Sequence, residues 1–173
     1  MKRRHVVMIG LPGAGKTTVG RLIAERLGAP FTDFDTIIEE RAGKSIERIF
    51  AEDGEPAFRA LEATIGAEAL AGEPAVLSPG GGYFQDAVQR RLALSLGYVV
   101  YLMTSPSVAA RRLEGSHPRP LLKGFEPALR LHLLLEQRRG TYLEAQARVM
   151  TDLLTPEAVA DDVAQLARTH GGW

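Results

Sequence analysis

Eight residues near the start of the chain, Gly10-Leu11-Pro12-Gly13-Ala14-Gly15-Lys16-Thr17, satisfy the pattern G-x-x-x-x-G-K-[ST] at every fixed position. Glycines let backbone N–H groups turn inward around an anion. A helix that begins at such a loop adds the positive end of its dipole. The loop has this meaning only between a buried strand and a helix. Val6-Val7-Met8-Ile9 precedes it as a short apolar run, and Val19, Leu22, Ile23 and Leu27 follow at i, i+3, i+4 and i+8, one face of a helix. The motif therefore implies a nucleoside triphosphate at the carboxyl edge of a sheet. Lys16 is placed to reach the β- and γ-phosphates. The Thr17 hydroxyl can ligate Mg²⁺, which takes octahedral oxygen ligands and favours phosphates.

The same alternation continues along the chain. Pro30 to Asp35, Ala75 to Ser78 and Tyr98 to Leu102 read as strands, and Arg148 to Met150 as a weak fifth. Thr36 with Glu39 forms a possible capping box that opens a helix to about Ala42. Ser45 to Ala51, Glu55 to Ala71, Gln85 to Leu96 and Glu126 to Glu144 have helical patterns. Ser105-Pro106 and Thr155-Pro156 each pair a cap with an N1 proline, and Val159, Val163, Leu166 and Ala167 mark the last helix. Alternating strands and helices predict an α/β fold, a P-loop NTPase-like parallel sheet of about five strands with helices on both faces. A length of 173 residues suits a single domain over 1–173. Leu113 to Pro127 carries three prolines and two glycines with little periodicity, so a mobile lid is expected over about 113–126. The Gly171-Gly172-Trp173 tail is expected to fray.

Composition narrows the partners. Twenty-one basic residues balance twenty-one acidic ones, which argues against a whole-protein field that gathers nucleic acid or membrane. There is no cysteine, hence no disulfide frame, thiolate zinc site or thiol nucleophile. There is no asparagine either, which removes the Asn of the protein-kinase catalytic loop and of the guanine-reading motif of GTPases. The apolar stretch after the basic N-terminus ends at Gly10, too short for a signal-peptide core. No run approaches the ~20 apolar residues of a membrane span. A cytoplasmic monomer that binds small molecules, with no nucleic-acid or membrane partner, is expected.

The next question is what receives the phosphate. Asp33-x-Asp35 ends the second predicted strand, where side chains at i and i+2 share a face. One carboxylate could orient Mg²⁺ through water and the other hold or deprotonate an acceptor hydroxyl; helix capping accounts for one of them as well. Arg59 and Glu62 stand at i and i+3 of a helix, which alone reads as a surface ion pair of about 0.3 kcal/mol. Gly80-Gly81-Gly82 follows a strand and would let a ligand touch the backbone; a tight turn is the alternative. Ser78, just before them, could bind a metal-linked water. Arg138 and Arg139 lie on a long helix, where charge ordinarily marks a solvated face.

Taken together, Gly13-Ala14-Gly15-Lys16-Thr17-Thr18, Asp33-Phe34-Asp35, Phe58-Arg59-Ala60-Leu61-Glu62, Gly80-Gly81-Gly82 and Arg119-Pro120-Leu121-Leu122 resemble, in order and spacing, the motifs of the shikimate kinase family. The resemblance spans about Val6 to Leu166. It implies an ATP-dependent kinase of aromatic amino acid biosynthesis that turns shikimate into shikimate 3-phosphate. By that resemblance Gly13 to Thr18 wrap the ATP phosphates, Thr17 ligates Mg²⁺ directly, and Asp33 and Ser78 support the metal through water. Asp35 binds the shikimate hydroxyls and is the candidate base. Arg59 and Arg138 grip the carboxylate, with Gly80, Gly81 and Gly82 as backbone contacts. Arg119 is the lid arginine, catalytic with Lys16 and Asp35. Arg112 and Pro156 flank the adenine. Ile46, Phe50, Phe58, Pro120 and Leu121 form an apolar wall, and about 36–62 is the shikimate-binding helical region. A gluconate-kinase-like enzyme of similar size, or a nucleotide-gated switch, is the alternative.

Overall fold

In the computed structural model, which describes residues 2–114 and 126–173, the first strand β1 (His5–Ile9) is buried along its whole length. A strand covered on both faces needs apolar residues at every position rather than at alternate ones. β1 lies in the middle of a five-stranded parallel sheet with β2 (Phe31–Asp33), β3 (Val76–Ser78), β4 (Gly97–Met103) and β5 (Ala147–Met150), in the order β2-β3-β1-β4-β5. Val6 pairs with Val76 on one side and Tyr98 on the other.

Successive residues of β1 serve two separate cores. Val6 and Met8 pack with Val19 and Ile23 of α1 (Lys16–Leu27) and Val159 and Val163 of α8 (Pro156–His170). Val7 and Ile9 face the opposite layer, built from α2 (Phe34–Ala42), α3 (Ile46–Glu52), α4 (Glu55–Ala71), α5 (Ala87–Leu96), α6 (Pro106–Leu113) and α7 (Pro127–Tyr142). Each fully buried aliphatic side chain contributes roughly 1.5–3 kcal/mol to this sandwich. α1 stops where the sequence expects, at Gly28, whose left-handed backbone (φ 61°) returns its N–H to Ala24 and Glu25.

Three local expectations change. Asp33, not Thr36, caps α2, with its carboxylate accepting the Thr36 N–H at 3.3 Å. The helix thus opens at Phe34, so Asp35 sits in its first turn and not on a strand. Glu39, free of any capping box, instead accepts the Ile46 N–H at 2.9 Å and ties α2 to α3. The segment expected to begin a helix at Gln85 forms a 3₁₀ turn, Tyr83–Gln85, before Asp86 caps α5. The C-terminal tail is held: the Arg4 N–H donates to the Gly171 carbonyl at 2.9 Å, and the Trp173 indole N–H donates to the Arg4 carbonyl at 2.9 Å.

Parallel pairing brings the carboxyl ends of all strands to one edge, where ligands bind in open α/β sheets. Because β3 and β1 are neighbours, the loops that leave them, Gly10 to Gly15 and Pro79 to Gly82, lie side by side. The expected lid falls almost entirely within 115–125, outside the described residues. Among the described residues no helix is long and apolar enough to cross a membrane.

At the opposite edge, buried His5 accepts the Ala75 N–H on Nδ1 at 3.2 Å and also bonds the Leu70 backbone. Burial lowers its pKa below the ordinary 6.5. The folded state thus binds the proton more weakly than the unfolded one, and the stability His5 supplies is intact above pH 6.5 and is lost as the pH falls toward the depressed pKa. Thermal midpoints measured from pH 8 to 5 should decline below about 6.5, and His5→Asn, which keeps an acceptor without titrating, should flatten that decline.

Candidate active site

The anion loop is built as its sequence requires. Gly15 caps α1 in a left-handed conformation (φ 92°), and the first turn of α1 carries no acidic residue, which leaves its positive end for an anion. Gly13 also has positive φ (83°), and a Cβ there would lie 2.5 Å from the Ala109 backbone carbonyl of α6, a group that cannot yield. The Lys16 ammonium donates to the Gly10 and Leu11 carbonyls, both at 3.0 Å, and so is folded across its own loop.

Beside the loop, the Thr17 hydroxyl donates to Asp33 Oδ2 at 2.5 Å. Ser78 is the register partner of Asp33 across β2 and β3 and is buried. These three side chains form an all-oxygen donor set. Among the described residues no group of three His, Cys, Asp or Glu could hold a metal alone. Few protein oxygens beside a phosphate site suit Mg²⁺, which keeps waters and shares substrate oxygens.

A cavity of about 550 Å³ runs along this edge. It is lined by Gly13 to Thr18 of the anion loop, by Arg112, Leu113, Leu154 and Pro156, and by Asp33, Asp35, Ser78, Gly80 and Gly81. Arg112 is fixed by donating to the Thr151 carbonyl at 2.9 Å and to the Thr151 hydroxyl at 3.1 Å. Asp35, although not on a strand, still reaches the cavity beside Asp33. Its place in the first turn of α2 sets its carboxylate at the positive end of that helix.

Arg59, Glu62 and Arg138 adjoin the cavity through the triple glycine. A Cβ on Gly80 would lie 2.4 Å from Glu62 Oε1, one on Gly81 3.2 Å from Arg138 Nη1, and one on Gly82 2.5 Å from Arg59 Nη2. The glycines thus make room for the chain's own charged side chains. Arg59 donates to Glu62 at 2.7 Å and to Glu55 at 3.2 Å, and lies over the Phe58 ring. Glu62 is only 2% exposed, so this is no surface pair. Burial pushes its pKa up, and the Arg59 guanidinium pulls it back. Arg138 is 7% exposed, against the expectation of a solvated face, and its Nη1 has no hydrogen-bond partner among the described residues, as is true of Glu62 Oε1. The Phe50 and Phe58 rings pack at 4.8 Å with a 45° tilt between them, with Ile46 packed against the same core.

A shikimate kinase family model matches residues 12–168. A shikimate kinase of Thermobifida fusca is 49% identical over 164 residues, covering 94% of each chain. The chain belongs to the shikimate kinase family. Its structure is also similar to that of a shikimate kinase from Acinetobacter baumannii in complex with shikimate, with a TM-score of 0.93 at 35% identity over 97% of this chain and 94% of that one. A gluconokinase from Sinorhizobium meliloti, at 24% identity and a TM-score of 0.60 over 96% of this chain and 95% of that one, shares the fold alone.

In this member of the shikimate kinase family, four of the five expected motifs meet at one sheet edge. The fifth, Arg119 to Leu122, lies outside the described residues. One motif residue is buried against expectation, and one side chain of the site lies outside every motif. Glu62 looks like a helix-surface partner until α4 is seen to bury it. Tyr142 donates its hydroxyl to the Gly81 carbonyl at 2.6 Å, and its one sequence signal is its i+4 spacing from Arg138. Gly82 has a right-handed backbone (φ −96°), so alanine fits the chain there and displaces only the Arg59 head group. If Arg59 binds the acceptor as its motif implies, Gly82→Ala should raise the KM for shikimate roughly tenfold, as expected for weakening one charged hydrogen bond of about 1.5–3 kcal/mol, and should also lower the thermal midpoint, because moving the Arg59 head group takes the partner from the buried Glu62 carboxylate. Initial-rate kinetics beside a melting curve checks this.

Proposed function

We propose that the cavity holds ATP and shikimate end to end and that these residues carry the γ-phosphoryl group from one to the other. The supporting observation is the meeting of two loops at Gly81. A Cβ at that position would lie 3.1 Å from Pro12 Cδ, 3.2 Å from Arg138 Nη1 and 3.3 Å from the Gly10 carbonyl, the same carbonyl that receives the Lys16 ammonium. The polyphosphate cradle and a buried guanidinium nitrogen, Arg138 Nη1, that has no hydrogen-bond partner among the described residues are thus within one small molecule of each other.

The activity is the ATP-dependent phosphorylation of shikimate to shikimate 3-phosphate. Shikimate is a ring with a carboxylate at one end and hydroxyls at the other. Arg138 and Arg59 offer the planar fork that suits a carboxylate. Asp35 is the acceptor for the attacking hydroxyl: it orients the oxygen and takes its proton. Phosphoryl transfer asks mostly for alignment and charge neutralisation. Lys16 and the backbone N–H groups of Gly13 to Thr18 supply positive potential to the transferring group, once the ammonium turns from its own carbonyls to the phosphates. Arg112 and Pro156 border the base. Mg²⁺ would be held by Thr17 directly and by Asp33 and Ser78 through water, and would neutralise phosphate charge. Arg119 enters through its motif alone. A cytoplasmic location suits this reaction, which draws on soluble ATP and a soluble acceptor.

A coupled ADP-release assay should give turnover that depends on shikimate and saturates with it. Absence of that signal with ATP binding intact would reject the reading. Lys16→Ala should lower kcat by at least about a hundredfold, in line with loss of a preorganised charge at the transition state, while circular dichroism stays unchanged.

A further inference from the structure

The carbonyls of the glycine loop are held in two different ways. Gly80 accepts the Tyr83 N–H and Gly82 accepts the Gln85 N–H, both at 3.1 Å, so these two are fixed by the 3₁₀ turn that follows. The Gly81 carbonyl is held instead by a side chain from another element, the Tyr142 hydroxyl at the end of α7, at 2.6 Å. Tyr142 is fully buried, with its ring 5.0 Å from that of Tyr101. Burial pushes its pKa up to about 12, against the pull of the Arg138 guanidinium, so at neutral pH the hydroxyl keeps its proton and donates. Arg138 stands one helical turn earlier on the same face of α7, and its unpartnered Nη1 lies at Gly81.

Gly81 is thus approached from two sides by groups of one helix. A peptide unit is planar, so fixing the Gly81 oxygen also fixes the direction of the Gly82 N–H. Glycine has no side chain to hold its own orientation, and three in a row have many conformations open to them. Without the phenol, a half-buried carbonyl would lose its partner and seek another by rotation.

We infer that Tyr142 is a positioning residue for the acceptor half of the site: its hydroxyl ties the glycine loop to α7, so that Gly81 and Arg138 meet the shikimate carboxylate as one rigid unit. The inference rests on Arg138 and Gly81 being the carboxylate-binding groups, as proposed above. Tyr142 touches no reacting atom in this role. It acts on acceptor binding and leaves the nucleotide end alone.

The test is initial-rate kinetics of Tyr142→Phe against wild type, with shikimate and with its methyl ester, and with Tyr101→Phe as a control for ring packing. The expected result is a KM for shikimate raised roughly three- to tenfold, the effect of one lost hydrogen bond, with the KM for ATP unchanged. The penalty should shrink with the ester, which has no carboxylate charge, and Tyr101→Phe should show no such split. An unchanged KM for shikimate, equal losses for shikimate and ATP, or the same penalty on acid and ester overturns the inference. Wild type that ignores shikimate overturns the functional reading itself. If Tyr142→Phe loses its circular dichroism signal, 3-fluorotyrosine placed at 142 keeps the hydroxyl; its ¹⁹F resonance should move on adding shikimate to the ADP complex, and a resonance that stays in place overturns the inference.

Discussion

The adjacency of β1 and β3 is the constraint from which the rest follows. The first two strands of the chain are not neighbours: β3 is inserted between β1 and β2. That order sets the anion loop leaving β1 against the glycine loop leaving β3, with Gly10 and Gly81 in contact distance. It also places Asp33, at the end of β2, next to Ser78 at the end of β3. Neither loop could form the site alone. The first offers positive potential for phosphates, and the second offers bare backbone against which guanidinium groups can stand.

The charges around the second loop form a connected set. Arg59 is shared between Glu55 and Glu62, and Glu62 in turn feels Asp35 and Arg138. Burying an ion is costly unless its partners are good. Here Arg59 and Arg138 stand on the side that adjoins Gly82 and Gly81, and the Asp35 carboxylate lies within reach of Glu62, so both signs of charge line this end of the site. Phe50, Phe58 and Ile46 exclude water from one flank and strengthen those charges.

Much of this was legible from residue order because the phosphate loop, strand alternation and cap-plus-proline signals act locally. Ser45, Asp86 and Thr155 each accept a backbone N–H from the following helix, as short-range chemistry dictates. The family motifs, read together, named the chemistry. One failure is local, and the others originate in long-range contacts. The place of Asp35 depended on which of two nearby oxygens would cap α2, and Asp33 won because its own carboxylate reaches the Thr36 N–H. The burial of Glu62 and Arg138 is decided by the glycine loop packing on them, and helical spacing is blind to that. The tail ordered, contrary to its glycine content, because an indole N–H found the Arg4 carbonyl.

That last contact has a practical side. The chain has one tryptophan, and it is clasped to Arg3 and Arg4 at the amino edge, a full five-residue strand away from the ligand edge. Its emission is therefore a clean optical gauge of whether the two ends of the polypeptide are still docked on the sheet. The indole does not line the cavity, so fluorescence titrations of ligand call for a reporter installed elsewhere.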